Sequence, residues 1–332
     1  MNTVAVVGVT GAVGTELLRV LEARDFPVGR LVPLASERSA GKTVTFKGAE
    51  VTVQATSPSA FQGVDLAFFS AGATRSRAFV PHARAAGALV VDNSSAFRMD
   101  PSIPLVVPEV NPEALNGHPG VVANPNCVAA IAVMGLAPLA RLARIERVVM
   151  STYQSASGAG QRAMEDLIVQ TKAHLAGQEV VPRVLKHPYA FNLFSHDADI
   201  EANGYNGEEN KVVAELRKIM GRPSLPISVT CVRVPVLRAH TISLNVEFDR
   251  EVSVDEARQA LTEAAGVILQ DDRAANHFPM PWDASGQDDV LVGRLRRDPS
   301  RATALDVLAC GDQLLKGAAL NAVQIAESLL GV

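Results

Sequence analysis

Thr3-Val-Ala-Val-Val-Gly8-Val-Thr10-Gly11-Ala12-Val13-Gly14 is the segment from which the architecture can be read outward. Its first half is a short valine-rich run without polar alternation, the pattern of a strand buried on both faces of a parallel sheet. Its second half sets a glycine at every third position and runs into Glu16-Leu-Leu-Arg-Val-Leu-Glu-Ala-Arg24, an amphipathic helical pattern. Strand, glycine loop and helix, in that order, form the setting of a dinucleotide fingerprint. The glycines let the backbone approach a pyrophosphate, and the helix start offers it N–H groups. The spacing is G-x-x-G-x-x-G rather than G-x-G-x-x-G, and Gly8, Thr10, Gly11, Ala12, Val13 and Gly14 are read as the cofactor loop.

Strands and helices then alternate. Leu31 to Ala35 reads as a second strand, ending in Ser36-Glu37-Arg38-Ser39. An NAD site carries an acidic residue at this point for the ribose 2'-hydroxyl. Arg38 with the hydroxyls of Ser36 and Ser39 suits a 2'-phosphate instead, so NADP is favoured, with Glu37 turned outward or itself meeting the ribose. Val64 to Ser70 and Ala88 to Asp92 are further strands, separated by a helix over Ser76 to Ala86 that Pro81 kinks or shortens. The expectation is a Rossmann-like, doubly wound parallel sheet whose strand ends face the ligand crevice. That places Ser70-Ala71-Gly72 beside the nicotinamide half and Asn93 to Arg98 at the substrate edge. Arg98, after a hydrophobic strand and an Asn-Ser-Ser turn, is a candidate phosphate clamp.

A short strand, Val121-Val-Ala123, delivers the turn Asn124-Pro125-Asn126-Cys127, and an apolar Ala-rich run follows at once. This sets Cys127 in the first turn of a buried helix, where unpaired N–H groups and the helix dipole favour a thiolate. Beyond it the pattern changes. A strand within 143–157 leads to Gly158-Ala-Gly160 and a helix over Arg162 to Ala176. An irregular stretch to Gly207, a helix over Glu208 to Met220, and strands Ile227 to Val236 and His240 to Phe248 come next. Strands outnumber crossover units here, so an α+β domain with a mixed or antiparallel sheet is expected. Ser253-Val-Asp-Glu256 has capping-box spacing and starts a helix read as running to Val267. Asp312 to Leu330 reads as a capped amphipathic helix that packs back on the first domain. The expected division is 1–126 with 311–332 as the cofactor domain and 127–310 as the catalytic and dimerisation domain.

Composition narrows the classes. The 332 residues are 48% apolar and 20% charged, enough for two domains with proper cores. Three cysteines, Cys127, Cys231 and Cys310, lack CxxC spacing, which suggests neither a disulfide framework nor a zinc site and fits a reducing cytoplasmic interior. A net charge of −4 argues against general attraction to nucleic acid. No apolar run approaches the roughly 18–20 residues of a membrane span, and a signal peptide is not expected. His82, His118, His174, His187, His196 and His277 are scattered without metal-ligand spacing, so no metal is expected and they read as structural or surface residues.

Several motifs stand in one order along nearly the whole chain. They are Gly8-x-x-Gly11-x-x-Gly14, Ala35-Ser36-x-Arg38-Ser39-x-Gly41-Lys42, Asp92-Asn-Ser-Ser95 and Asn124-Pro-Asn-Cys127. Gln154-Ser-Ala-Ser-Gly158-Ala-Gly160, Gly204-Tyr-x-x-Glu208-x-x-Lys211, Arg233-Val-Pro235-Val and His240 follow. The series closely resembles aspartate-semialdehyde dehydrogenases. The resemblance implies NADPH-dependent reduction of L-aspartyl 4-phosphate to L-aspartate 4-semialdehyde with release of phosphate, a step of lysine, threonine and methionine biosynthesis. It also implies a two-domain fold similar to glyceraldehyde-phosphate dehydrogenase, assembled as a homodimer or dimer of dimers. It makes Cys127 the nucleophile, His240 a proton shuttle with a near-neutral pKa and Gln154 the residue that orients the acyl group. Arg233 would take the α-carboxylate, Glu208 the α-ammonium, Lys211 and Arg98 the phosphate, and Asn126 would line the substrate. Ser157, Gly158 and Gln313 fall on the nicotinamide side. Two features depart from the pattern: Val128-Ala129 follow the cysteine where hydroxyl residues are frequent, and Gln313 stands where asparagine is common. Two other readings share these residues, an N-acetyl-glutamyl-phosphate reductase and a nicotinamide-binding regulator without turnover. Glu208 discriminates against the first, since an acylated amine needs no anion.

Overall fold

Valine-rich segments of the first third pair side by side because each is apolar on both faces and can be buried only inside a layered sheet. In the computed structural model, which describes residues 2–332, the chain forms β1 (Asn2–Val7), α1 (Ala12–Ala23), β2 (Val28–Ala35), a hairpin of β3 (Thr43–Phe46) and β4 (Ala49–Thr52), and β5 (Gln54–Ala55). It continues through β6 (Leu66–Phe69), α2 (Ala73–Ala85), β7 (Leu89–Asp92) and β8 (Val121–Ala123). Six of these strands make one sheet in the order β5-β2-β1-β6-β7-β8, parallel throughout. Val4 to Val7 have no exposed surface. The order reverses between β1 and β6, so Gly8, Ser70, Asn93 and Asn124, which follow successive strands, share one edge.

The chain divides into two units, one running through Asn126 and resuming at Ala318–Val332, the other being Cys127–Gly317. The second unit contains α3 (Cys127–Ala140), β9 (Ile145–Gln154), α4 (Gln161–Leu175), β10 (Phe194–Ser195), α5 (Gly207–Ile219), β11 (Ile227–Arg233) and β12 (His240–Phe248). After these come α6 (Val254–Thr262), β13 (Val267–Leu269), α7 (Pro281–Ala284), β14 (Val290–Arg297) and β15 (Ala304–Gly311). Its sheet is mixed, in the order β10-β11-β9-β12-β15-β14-β13. The parallel β9–β11 pair sets Gln154 opposite Arg233, and antiparallel β12 starts where β9 and β15 end, with His240 opposite Gly311. β12 alternates strictly, and its buried face carries His240, Ile242, Leu244, Val246 and Phe248.

Two expectations are corrected. The helix begun at Ser253 ends at Thr262 rather than Val267: Gly266 takes φ +70°, and Val267-Ile-Leu269 turns into a strand beside β14. The segment from Asp312 is not one helix. The Asp312 carboxylate accepts the N–H groups of Leu314 and Leu315, one π-helical turn spans Leu315–Ala319, and only then does α8 (Leu320–Leu330) begin. Within the first unit α8 is fastened by Glu327 to Arg24, two bonds of 2.7 Å, and by Asn321 Nδ2, which donates to the Val106 carbonyl at 2.9 Å.

The Ser253 hydroxyl accepts the Glu256 N–H at 3.1 Å while the Glu256 carboxylate accepts the Ser253 N–H at 2.8 Å, a closed capping box. Ser253→Ala should lower stability by about 1 kcal/mol. Urea unfolding checks this, and an unchanged midpoint would show that the cap contributes nothing.

Candidate active site

The cofactor loop of the first unit is shaped by what its glycines lack. Gly8 takes φ +89°, and a Cβ there would lie 2.5 Å from the Ser70 carbonyl oxygen; one at Gly14 would collide with the carbonyl oxygen of Gly8. No side chain larger than hydrogen fits either place. α1 opens at Gly11 without a side-chain cap, and Thr10 and Gly11 are exposed while Ala12 and Val13 are half-buried. Past the end of β2 the chain makes a short turn in which Ser36 is half-buried, Arg38 exposed and Ser39 buried.

Along the same edge Asp92 is buried and accepts from Ser76 Oγ at 2.7 Å and Ser94 Oγ at 2.8 Å; burial pushes its carboxyl above the ordinary range while these bonds oppose the rise. Arg98 is also buried. Its Nε donates to the Asn124 carbonyl at 2.9 Å and its Nη2 to the Asn93 carbonyl at 2.7 Å, so it stitches together the ends of β7 and β8. Asn126, buried, ends this stretch of the unit.

In the second unit Cys127 is the first residue of α3 and is half-buried, whereas Cys231 and Cys310 are fully buried. Burial pushes both of those thiols up to about 12, which leaves them protonated and inert. Gly317 faces Cys127: a Cβ on it would lie 2.9 Å from that of Cys127 and 3.2 Å from that of Gln313. Gln154, Arg233 and His240 lie at one end of the sheet, as the register requires. Gln154 Nε2 donates to Glu208 Oε1 at 3.3 Å, and half-exposed Lys211 brings Nζ to 4.0 Å from Glu208 Oε2.

Arg233 is 5% exposed, and its Nε donates to Asp197 Oδ1 at 3.1 Å. His240 is wholly buried, with Nδ1 accepting the Ser155 N–H at 3.0 Å. Arg233 Nη1 and His240 Nε2 are buried without a hydrogen-bond partner. Both point at Gly158, where a Cβ would lie 3.0 Å from His240 Nε2 and 3.3 Å from Arg233 Nη1. Two polar atoms deprived of water in this way are costly unless a ligand satisfies them. The imidazole does not have the near-neutral pKa expected of it. Burial, followed by the charge of Arg233 and by His196, lowers it to about 3, so the ring is neutral.

Asp197 escaped the sequence reading, and His196 was read there only as a structural or surface residue. They lie just after β10 in a stretch without periodicity, and no motif marks them. Burial would raise the Asp197 carboxyl, but the guanidinium of Arg233 and its hydrogen bond prevail and hold it below the ordinary value. His196, partly buried, is pushed below its usual range by desolvation and then by Arg233. Gln313 is buried, with its amide directed into the unit: Oε1 accepts the Ala239 N–H at 2.9 Å, and Nε2 donates to Ser157 Oγ.

A parallel sheet with a glycine loop in one unit and a half-buried thiol at a helix start in the other suit the semialdehyde dehydrogenase class. Family models agree, the semialdehyde dehydrogenase NAD binding domain matching residues 3–118 and the dimerisation domain residues 136–316. The chain is 53% identical to an aspartate-semialdehyde dehydrogenase of Synechocystis sp., covering 98% of this chain and 97% of that one, and 51% identical to one of Prochlorococcus marinus, covering 99% and 96%. It superposes with TM-score 0.95 and 41% identity on the crystal structure of aspartate semialdehyde dehydrogenase II from Vibrio cholerae complexed with ASA, covering 100% of this chain and 98% of that one. The chain belongs to the aspartate-semialdehyde dehydrogenase family, a family of oxidoreductases with a nicotinamide-binding domain.

Gly158→Ala tests the two donors. The added methyl would occupy the space they face, and kcat/KM should fall about tenfold, some 1.4 kcal/mol, mainly through a higher KM for the aldehyde in the oxidative assay. Steady-state kinetics that match the unsubstituted enzyme would show that nothing reacts there.

Proposed function

We propose that the protein catalyses the NADPH-dependent reduction of L-aspartyl 4-phosphate to L-aspartate 4-semialdehyde and phosphate through a thioester on Cys127. The observation that carries this reading is the convergence of two buried, unsatisfied donors, Arg233 Nη1 and His240 Nε2, on side-chain-free Gly158. A carboxylate answers the first and a carbonyl oxygen the second.

The residues of the first unit suit a dinucleotide. The Gly8–Gly14 turn admits no side chain, and the start of α1, uncapped, suits the pyrophosphate. Ser36, Arg38 and Ser39 suit a 2'-phosphate, which favours NADP over NAD. A nicotinamide nucleotide held by these residues would supply the hydride for the reduction.

Cys127 forms the covalent bond. Its sulfur attacks the acyl carbon, the C–O bond to phosphate breaks, and the thiol proton leaves with the phosphate as HPO4²⁻. After reduction the C–S bond breaks, the aldehyde departs, and the sulfur takes up a proton from solvent. His240 need not change its charge in either half. Its Nδ1 is engaged as an acceptor, so the neutral ring holds its proton at Nε2 and offers it to the oxygen on which charge develops. Arg233 holds the α-carboxylate. Glu208 and Asp197 are two carboxylates suited to a free α-ammonium, which favours an unacylated amino acid over an N-acetylated one. Gln154, tied to Glu208, orients the acyl group, and Lys211 and Arg98 are the cations assigned to the phosphate. The dimerisation-domain match supports a homodimer, or a dimer of dimers, as the working form.

Cys127→Ser should abolish turnover and leave nucleotide affinity intact. Mass spectrometry of the unsubstituted enzyme mixed with aspartyl phosphate, without reductant, should show an acyl adduct on Cys127; its absence would overturn the covalent route. Arg38→Ala should raise the Kd for NADPH by at least about tenfold, since hydrogen bonds to a charged group contribute about 1.5–3 kcal/mol, while NADH binding holds. Equal weakening of both by calorimetry would remove the 2'-phosphate assignment.

A further inference from the structure

We propose that Gln313 is a positioning residue that orders a one-way chain of buried hydrogen bonds ending on His240 Nδ1, and so keeps the ring proton on Nε2. The inference rests on the reading that His240 acts on the reacting oxygen.

The chain is anchored by two backbone N–H groups that can only donate, that of Ala239 to Gln313 at one end and that of Ser155 to His240 Nδ1 at the other. Ala239 N–H can only donate, so the Gln313 atom that meets it at 2.9 Å is the carbonyl oxygen Oε1. That leaves Nε2, a donor, facing Ser157 Oγ. Ser157 Oγ and Ser155 Oγ lie 3.0 Å apart, a pair in which either hydroxyl can donate, and the proposed direction runs from Ser157 to Ser155. Ser155 Oγ lies 3.0 Å from His240 Nδ1, and in the proposed direction its proton is turned to that nitrogen. The Ser155 backbone N–H donates to the same nitrogen at 3.0 Å. With two donors aimed at it, Nδ1 keeps its lone pair and the neutral ring carries its proton at Nε2. All four side chains are at most 2% exposed.

The same amide also steadies the backbone that carries the histidine. Ala239, which precedes His240, is fully buried with φ +72°, a left-handed conformation that costs an L-residue about 1–3 kcal/mol. Its N–H is the one held by Gln313. Next to Gln313, Asp312 accepts Arg238 Nε at 2.5 Å and the Gly286 N–H at 2.7 Å. Residues 312–313 therefore grip 238–239 from both sides. The amide of Gln313, expected on the nicotinamide side, has protein partners at both ends.

The test uses the full-length enzyme with ring-15N histidine at neutral pH, the His240 resonances being assigned as those lost in His240→Asn. The unsubstituted protein should show the proton on Nε2 and a hydrogen-bonded Nδ1. Gln313→Ala and Ser157→Ala should each shift the Nδ1 resonance toward that of an unbonded nitrogen. Each should lower kcat about tenfold to a hundredfold with little change in KM for NADPH, and the double variant should lose no more than the worse single one. A proton found on Nδ1 in the unsubstituted enzyme would overturn the proposal. So would a Gln313→Ala variant whose Nδ1 resonance and kcat are unchanged while KM for NADPH rises, the signature of a cofactor contact. The resonance is read without turnover, so full activity in His240→Asn would sink the assigned role of the histidine independently of the chain.

Discussion

Burial of the Arg233 guanidinium is the constraint around which the second unit is arranged. A charge with so little access to water costs several kcal/mol unless opposite charge and hydrogen bonds offset it. Asp197 answers one edge of the guanidinium through Nε and leaves Nη1 unanswered. The positive field that remains explains much nearby. After burial, which is the larger cause, it helps keep the His240 imidazole neutral and depress His196, and against burial it holds Asp197 below the ordinary carboxyl range. It also makes the space beside Gly158 complementary to an anion, so the proposed binding of a carboxylate is partly prepared in the fold.

What positions the guanidinium is strand register. β9 and β11 run parallel and end together, while β12 and β15 run antiparallel to each other and meet at the same end, so four chain segments release Gln154, Arg233, His240 and the Asp312–Gln313 turn within one sheet edge. A shift of one residue in β12 would move His240 to the opposite face, because side chains alternate with period two. The apolar residues Ile242, Leu244, Val246 and Phe248 resist that shift, since all four would leave the core together. The placement of His240 and the hydrophobic patterning of β12 are thus held by one alternation.

That alternation also explains how much of the molecule was legible in the sequence. Continuous apolar runs identified β1, β6 and β7, and glycine spacing identified the loop after β1, because local chemistry alone dictates both. The start of α3 at Cys127 and the capping box at Ser253 were readable for the same reason. The end of α6 was not, since Val267-Ile-Leu269 carries a helix-compatible period and only pairing with β14 makes it a strand. Asp197 was invisible because its role depends on a distant strand meeting an aperiodic segment. The low pKa of His240 was equally hidden: a reference value describes a solvated ring, and neither its burial nor Arg233 beside it is local in sequence. Gln313 was seen as a site residue, but its partners Ala239 and Ser157 lie 74 and 156 positions away.

The first unit is not one continuous stretch of chain. It is interrupted at Asn126 and completed only by Ala318–Val332, which bring Asn321 to Val106 and Glu327 to Arg24. On the ribosome the thiol-bearing unit, whose residues are contiguous, is therefore fully synthesised before the nucleotide-binding unit receives its last helix. For that interval β7 and α1 lack the contacts that α8 makes with them, and the apolar surface of the unfinished sheet stays uncovered.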